Sequence, residues 1–297
     1  MKDAYSRELI FFLHIQKTAG MTLQELLRKN LGRAPLTRMW EFISGNSGEG
    51  LPMAEALRRL KESDRLFMGH FGYGVHRHYP FGSSYITFLR EPASRLVSLY
   101  YFSRTTPGSF YHAVARDRGL EQFLFKTQLH ELDNGMTRQI AGDKEDLFLS
   151  RVPYGECDEA LLEEAKANIE RDFLFVGIQE HFLESVCLLS RTLRFRQPYY
   201  LTFNRAKKSK PEQEEGLHRR LREKNDLDCR LYQHYRTKFE ETLARINRET
   251  PDLFSEYARK NEAHQARLRR GYRIRIGLRR ILEGLTSRKR SIRPEAQ

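Results

Sequence analysis

What the sequence lacks narrows it first. No apolar run approaches the roughly 20 residues needed to span a bilayer. The first residues, with Lys2, Asp3, Arg7 and Glu8 ahead of a short apolar run, do not follow the plan of a secretory leader. A soluble protein is expected. Cysteine is scarce: Cys157, Cys187 and Cys229 are far apart and show no CxxC or Cys/His spacing. Neither a disulfide framework nor a structural zinc site is expected, and a reducing compartment fits. No internal repeat is visible. Tryptophan occurs once, but phenylalanine and tyrosine bring the aromatic content to 11%, enough to fill a core in 297 residues. One catalytic domain with appendages suits that length better than two equal domains.

Acidic charge is also short, and the formal net charge is +13. Its distribution decides what it means. Residues 260–297 hold twelve Lys/Arg against three Glu, so +9 of the total sits there and the other 259 residues carry only +4. A nucleic-acid-binding protein would spread basic residues over its body among exposed aromatics, so no specific nucleic acid is expected. Within this basic tail, Ile274, Leu278, Ile281, Leu282 and Leu285 share one helical stripe amid arginines, although Gly271 and Gly277 weaken a helix there. Two readings stay open: a helix lying on an anionic membrane surface, or one docking its stripe on the body with a solvated basic face.

Short apolar runs at Leu9 to Leu13, Leu66 to Met68, Tyr85 to Leu89 and Phe173 to Val176 predict strands buried on both faces. Helical periodicity follows from Met21, and at Ala93 to Ser103, Glu121 to Phe125, Leu161 to Arg171, His181 to Leu193 and Pro211 to Asn247. Strands alternating with helices imply an α/β fold with a central, mostly parallel sheet flanked by helices. The stretches 44–50 and 104–110 read as loops. Residues 104–152 show no clear strand and read as a helical insertion shaping an acceptor site. The expected division is a catalytic domain over 1–259 and a basic amphipathic, helical C-terminal extension over 260–297.

In such sheets ligands gather beyond the carboxyl ends of the strands. After the first strand comes "HIQKTAGMT", where the N–H groups of Thr18, Ala19, Gly20, Met21 and Thr22 would face one spot before a helix, with Lys17 adding a full charge. After the second come Gly69 and His70. After the third comes Arg90, then Glu91 and Pro92 opening a helix that carries Ser94, Arg95 and Ser98. Each has an ordinary reading: a plain connection, a satisfied histidine, a surface ion pair. Equivalent topological positions favour the functional one, two anion sites and a histidine along one sheet edge. A nucleotide kinase is disfavoured: GxxxxGK[ST] is absent, Lys17 precedes Gly20, and no strand-end aspartate completes a metal site.

At these residues the chain resembles the carbohydrate sulfotransferases. "HIQKTAGMTL" is similar to their 5′-phosphosulfate loop, usually with Pro where Gln16 stands, and "LREPASRLVSLYYF" to their 3′-phosphate motif, usually with Asp where Glu91 stands. "MGHFGYGVH" resembles the segment supplying the catalytic base, and "ANIERDFLFVGIQEHFLESVCLL" a later strand–helix unit. The wording is most similar to the uronyl 2-O branch, including heparan sulfate 2-O-sulfotransferase, and to soluble bacterial relatives. The resemblance covers about Leu9 to Phe239. It implies a P-loop-like three-layer fold and transfer of a sulfuryl group from 3′-phosphoadenosine 5′-phosphosulfate to a hydroxyl of a carbohydrate, glycolipid or other acceptor, without a metal. His70 would be the general base, and Lys17 would stabilise the leaving 5′-phosphate. Lys17, Thr18, Ala19, Gly20, Met21 and Thr22 would hold the 5′ end, and Arg90 and Ser98 the 3′-phosphate. In a basic loop, Lys207, Lys208 and Ser209 would close over the nucleotide, or else form a solvated charge run. His76 and His78 would assist the base or meet the acceptor, or else be surface histidines. Arg138 would meet an acidic acceptor or the donor, with a structural ion pair equally open. Animal members sit in the Golgi behind an anchor. With no anchor visible here, a bacterial cytoplasmic enzyme, peripheral to the membrane through its tail, is expected.

Overall fold

Four apolar segments become the sheet: β1 Leu9–Leu13, β2 Leu66–Gly69, β3 Ser83–Leu89 and β4 Phe173–Ile178. The computed structural model describes residues 8–32, 53–142, 151–201 and 212–269. The strand order is β2-β1-β3-β4 and every pairing is parallel. The four strands are those expected from the apolar runs. Around them, in chain order, lie α1 Gly20–Leu31, α2 Met53–Arg58, α3 Pro92–Thr105, α4 His112–Arg116, α5 Leu120–Lys126, α6 Gly135–Ala141, α7 Glu159–Asp172, α8 Phe182–Thr192, α9 Glu212–Lys224, α10 Asp226–Glu249 and α11 over 253–269.

Side chains alternate across a strand, and β1 uses both faces. Leu9, Phe11 and Leu13 join Met136 and Ile140 of α6, Leu161 and Leu162 of α7, and Leu227 and Leu231 of α10. Ile10 and Phe12 join Leu23, Leu26 and Leu27 of α1 with Val186 and Leu189 of α8. All five β1 side chains are fully buried. Burying each contributes about 1.5–3 kcal/mol of transfer free energy, which anchors β1 at the centre of the sheet. Helices on both faces make the three layers.

A third cluster lies beside the sheet: Ala93, Leu96, Leu99 and Tyr100 of α3 pack with Ala115, Phe123, Leu124, Leu132 and, from α9, Leu221. Within residues 104–142 lie the short helices α4, α5 and α6. A buried ionic cluster fastens this region to α10. The fully buried Arg95 side chain pairs with Glu131 and lies 3.6 Å from Asp228 of α10. Asp228 also accepts from the backbone N–H groups of Met136 and Thr137 and from the Thr137 hydroxyl. Burial pushes its carboxyl up even beside Arg95. Arg95 of the "LREPASR" stretch therefore builds α3 into the body.

Helix α11 runs across residue 260, where the tail was expected to begin. The stripe from Ile274 to Leu285, the 44–50 loop, and Lys207, Lys208 and Ser209 lie outside the described residues.

Candidate active site

The chain leaves β1 toward β2 and leaves β3 toward β4. The crevice where connections diverge is thus between the carboxyl ends of β1 and β3. Lys17 and Arg90 stand there, one after each strand. Arg90 donates from Nη1 to the carbonyl oxygen of Lys17 at 3.0 Å, tying the two strand-end segments together.

The loop from Gln16 to Gly20 is held in an uncommon shape. Lys17 and Ala19, neither of them glycine, have φ of 69° and 67°, while Thr18 between them does not enter the positive region. Alternating hands along consecutive residues turn successive N–H groups inward, the concavity that receives anions. Thr18 locks the turn by donating its hydroxyl to the Ile15 carbonyl at 2.8 Å, so its side chain is spent and its backbone is what it offers. Gly20, Met21 and Thr22 open α1, whose first-turn N–H groups have no intrahelical partner. Met21 is half exposed, so the mouth opens to solvent.

Lys17 Nζ lies 3.8 Å from the centre of the Phe102 ring. Ser94, Ser98 and Phe102 recur every fourth residue on α3 and so share the face that looks at this loop. The Ser94 hydroxyl is engaged by the Glu91 carboxylate, whereas the Ser98 hydroxyl has no hydrogen-bond partner among the described residues. Burial, and then the charge of Arg90, push the Lys17 ammonium down to about 8. Arg90 is itself held below its ordinary value, chiefly by burial. Its Nε is buried without a partner among the described residues. Two cations have been brought together, with unmet donors, and an anion relieves both costs.

Glu91 caps α3 with its longer side chain, accepting from the Ser94 N–H at 2.7 Å and from Arg222 Nε at 2.8 Å. The Glu91 N–H donates to Glu180 just beyond β4, whose other oxygen accepts from the Tyr232 hydroxyl. All four strand ends thus contribute to one edge, and Glu180 is a participant that sequence reasoning missed. A strand-end position after "FLFVGI" was its only signal.

His70 follows β2. Its Nδ1 lies 2.7 Å from the carbonyl oxygen of His14, which can only accept, so Nδ1 carries the hydrogen and donates. The basic lone pair of the neutral ring is then on Nε2. The same carbonyl accepts from Gln139 Nε2 at 3.3 Å, and Gln139 also donates to the Phe71 carbonyl at 2.8 Å. Buried Gln139 on α6 thereby braces the segments bearing both histidines.

His14 was absent from the sequence candidates. The parallel register pairs Phe12 with Met68 and Leu13 with Gly69, and continuing it sets His14 beside His70. The rings stack with centroids 4.3 Å apart. Having even parity with Ile10 and Phe12, His14 faces α1. A methyl on Gly20 would fall 1.6 Å from His14 Nε2, so only glycine admits the imidazole.

The remaining candidates are placed elsewhere. His76 Nδ1 is 2.9 Å from the Tyr85 hydroxyl. Tyr85 lies four residues before the end of β3, about 13 Å back from the edge at roughly 3.3 Å per residue. His76 therefore sits over the sheet face, its pKa lowered by burial. His78 is exposed on the turn that follows. Arg138 is fully buried: its guanidinium is held by the Asp133 carboxylate and the carbonyls of Asp133, Val152 and Pro153. Of its two readings the structure has the ion pair, and the side chain offers an acceptor no surface. No group of three or more metal-type side chains occurs among the described residues.

A family model described as galactose-3-O-sulfotransferase matches residues 1–273. Human galactose-3-O-sulfotransferase 2 is 28% identical over 242 residues, covering 76% of this chain and 58% of that protein. Galactose-3-O-sulfotransferase 3 of Mus musculus is 29% identical over 281 residues, covering 88% and 62%. Human heparan-sulfate 6-O-sulfotransferase 1 is 32% identical over 283 residues, covering 80% and 67%. The chain spans about three fifths of the length of the two galactose-3-O-sulfotransferases. These relatives are named for 3-O and 6-O transfer, so they support a carbohydrate sulfotransferase family and not the narrower likeness to the 2-O branch. They also overturn the cytoplasmic placing, since they belong to the animal, Golgi-resident group. No helix among the described residues is long and apolar enough to cross a membrane.

Proposed function

The chain belongs to the galactose-3-O-sulfotransferase family, and we propose that it transfers a sulfuryl group from 3′-phosphoadenosine 5′-phosphosulfate to a carbohydrate hydroxyl. The observation that carries the reading is the joint placement of the Lys17 loop, Arg90 and a tautomer-fixed His70 along one sheet edge. The donor set suits a molecule with anions at both ends of an adenosine. The alternating loop and the first turn of α1 supply N–H groups for the 5′ end. Arg90, with its unmet Nε, and Ser98 on the facing stripe supply donors for the 3′-phosphate. When bound, that donor supplies an activated sulfuryl group on a phosphate leaving group.

The residues' own work follows from their chemistry. His70 Nε2 takes the proton of the attacking hydroxyl as the new oxygen–sulfur bond forms, while Nδ1–H stays on the His14 carbonyl and keeps the ring oriented. Lys17, released from the Phe102 face, places its ammonium against the charge that grows on the departing phosphate oxygen. The loop N–H groups are already turned inward, so little reorganisation accompanies the step. Carbohydrate acceptors are the substrates named for the relatives, and a sugar hydroxyl is the acceptor proposed here.

Calorimetric titration with 3′,5′-adenosine bisphosphate, without added metal, tests the donor assignment against Mg²⁺-ATP and 5′-AMP. The reading requires binding that depends on the 3′-phosphate and is lost in Arg90→Ala. Equal affinity for 5′-AMP and the bisphosphate refutes it, and a requirement for Mg²⁺-ATP revives the kinase.

A further inference from the structure

His14 is a buried titratable group that the proposed reaction does not use. Its side chain is 7% exposed, and it is wedged between Phe12 and His70. Gln24 of α1 has its amide nitrogen 3.2 Å from His14 Nδ1 and donates to it. Nδ1 is thereby the acceptor, and the hydrogen of the neutral ring is on Nε2. That Nε2 is buried without a hydrogen-bond partner among the described residues. Burial, with the adjacent His70 and Lys17, holds the ring well below the usual histidine range, so it is a neutral donor and not a second cation.

The direction of the ring matters most. Its Nε2 tip is the atom nearest to the missing side chain of Gly20, the first residue of α1. Gly20 opens α1, so the first-turn N–H groups of that helix lie at this point, next to the turned loop that carries Lys17. A buried donor with no acceptor bears the full cost of its desolvation, and packing against Gly20 alone does not require a nitrogen there. An oxygen acceptor entering the cradle satisfies it.

We propose that His14 Nε2–H binds the 5′-phosphate end of the donor, as a neutral hydrogen-bond donor inside the Lys17 cradle. This rests on the donor reading above. The two stacked histidines then have different roles, His70 presenting a basic Nε2 to the acceptor hydroxyl and His14 presenting an N–H to the anion. Their opposite tautomers follow from their Nδ1 partners, a carbonyl for His70 and an amide N–H for His14. The same role fits Gly20, since any side chain there would collide with the imidazole and push its Nε2 out of place.

The test compares 3′,5′-adenosine bisphosphate with adenosine 3′-phosphate, which lacks the 5′ group, in wild type, His14→Asn and His14→Gln. Asparagine reaches the Nδ1 position but not Nε2, whereas glutamine can place its amide nitrogen near Nε2. A hydrogen bond to a charged group predicts that His14→Asn weakens the bisphosphate about tenfold or more. Adenosine 3′-phosphate should be unchanged, and His14→Gln should recover most of the loss. Bisphosphate affinity within about twofold of wild type in His14→Asn would overturn the proposal. A parallel loss of both ligands would do the same, by assigning His14 to folding alone. Failure of wild type to bind the bisphosphate would instead bring down the donor reading, and this assignment with it.

Discussion

Anion binding in the Lys17 cradle should be steeply pH-dependent above neutrality, because the structure leaves that ammonium easy to deprotonate. Burial and the nearby Arg90 push it down to about 8. An anion in the cradle favours the charged form and moves the value back up, so ligand binding above that pH takes up a proton. If only the ammonium form binds, the dissociation constant rises by one plus ten to the power of pH minus pKa. That factor is about twofold at pH 8 and about elevenfold at pH 9. The sign follows from the depressed value: affinity is full below about 8 and is lost as pH rises through it. The ligand's phosphates complete their second ionisation near pH 6, so they add nothing in this window. Titration calorimetry of 3′,5′-adenosine bisphosphate at pH 7, 8 and 9, in two buffers of different ionisation enthalpy, reads both quantities. At pH 8 about half a proton should be taken up per ligand, and Lys17→Arg, permanently charged, should flatten the profile. A wild-type affinity that stays level to pH 9, or the same decline in Lys17→Arg, would refute the assignment of Lys17 to the anion.

His70→Ala removes the proton acceptor without touching Arg90 or the α1 N-terminus. Turnover should fall by about 10² to 10⁴ while bisphosphate affinity changes little; unimpaired turnover with any acceptor the wild type uses would sink His70 as the base. Asp228→Ala leaves Arg95 with one carboxylate and strips an acceptor from Met136 and Thr137. Breaking a buried ionic cluster from one side should lower stability by about 3–5 kcal/mol in urea unfolding, and a loss within about 1 kcal/mol would show that the cluster does not fasten α3 to α10.

The sheet was legible because parallel strands under two helical layers are apolar throughout, and β1 and the body of β3 read as such runs. The first two residues of β3, Ser83 and Ser84, were missed, since a serine pair carries no burial signal. They join the sheet through backbone pairing with Leu9 and Ile10. Strand order is likewise invisible in a linear chain: nothing local says that β2 and β3 flank β1, yet that placement brings the Lys17 loop between His70 and Arg90. The fate of Arg138 turned on Asp133 five residues away and on carbonyls near 152, a contact set that composition does not rank.

His14 shows most clearly what was present in the sequence but unread. As the first polar residue after β1 it looks like the end of a strand, and the lysine three residues on carries the more obvious charge. Two facts could have marked it: its parity with Ile10 and Phe12 points it at the helix that begins at Gly20, and a small residue opening that helix leaves room for a ring. Strand parity selects the face, register sets it beside His70, and the missing side chain of Gly20 fixes how far the imidazole can reach. Each constraint is ordinary packing. Together they leave one neutral N–H buried at the place along this edge where the turned loop that carries Lys17 meets the first turn of α1, so the chemistry of the cradle is decided by the core beneath it as much as by the loop residues that line it.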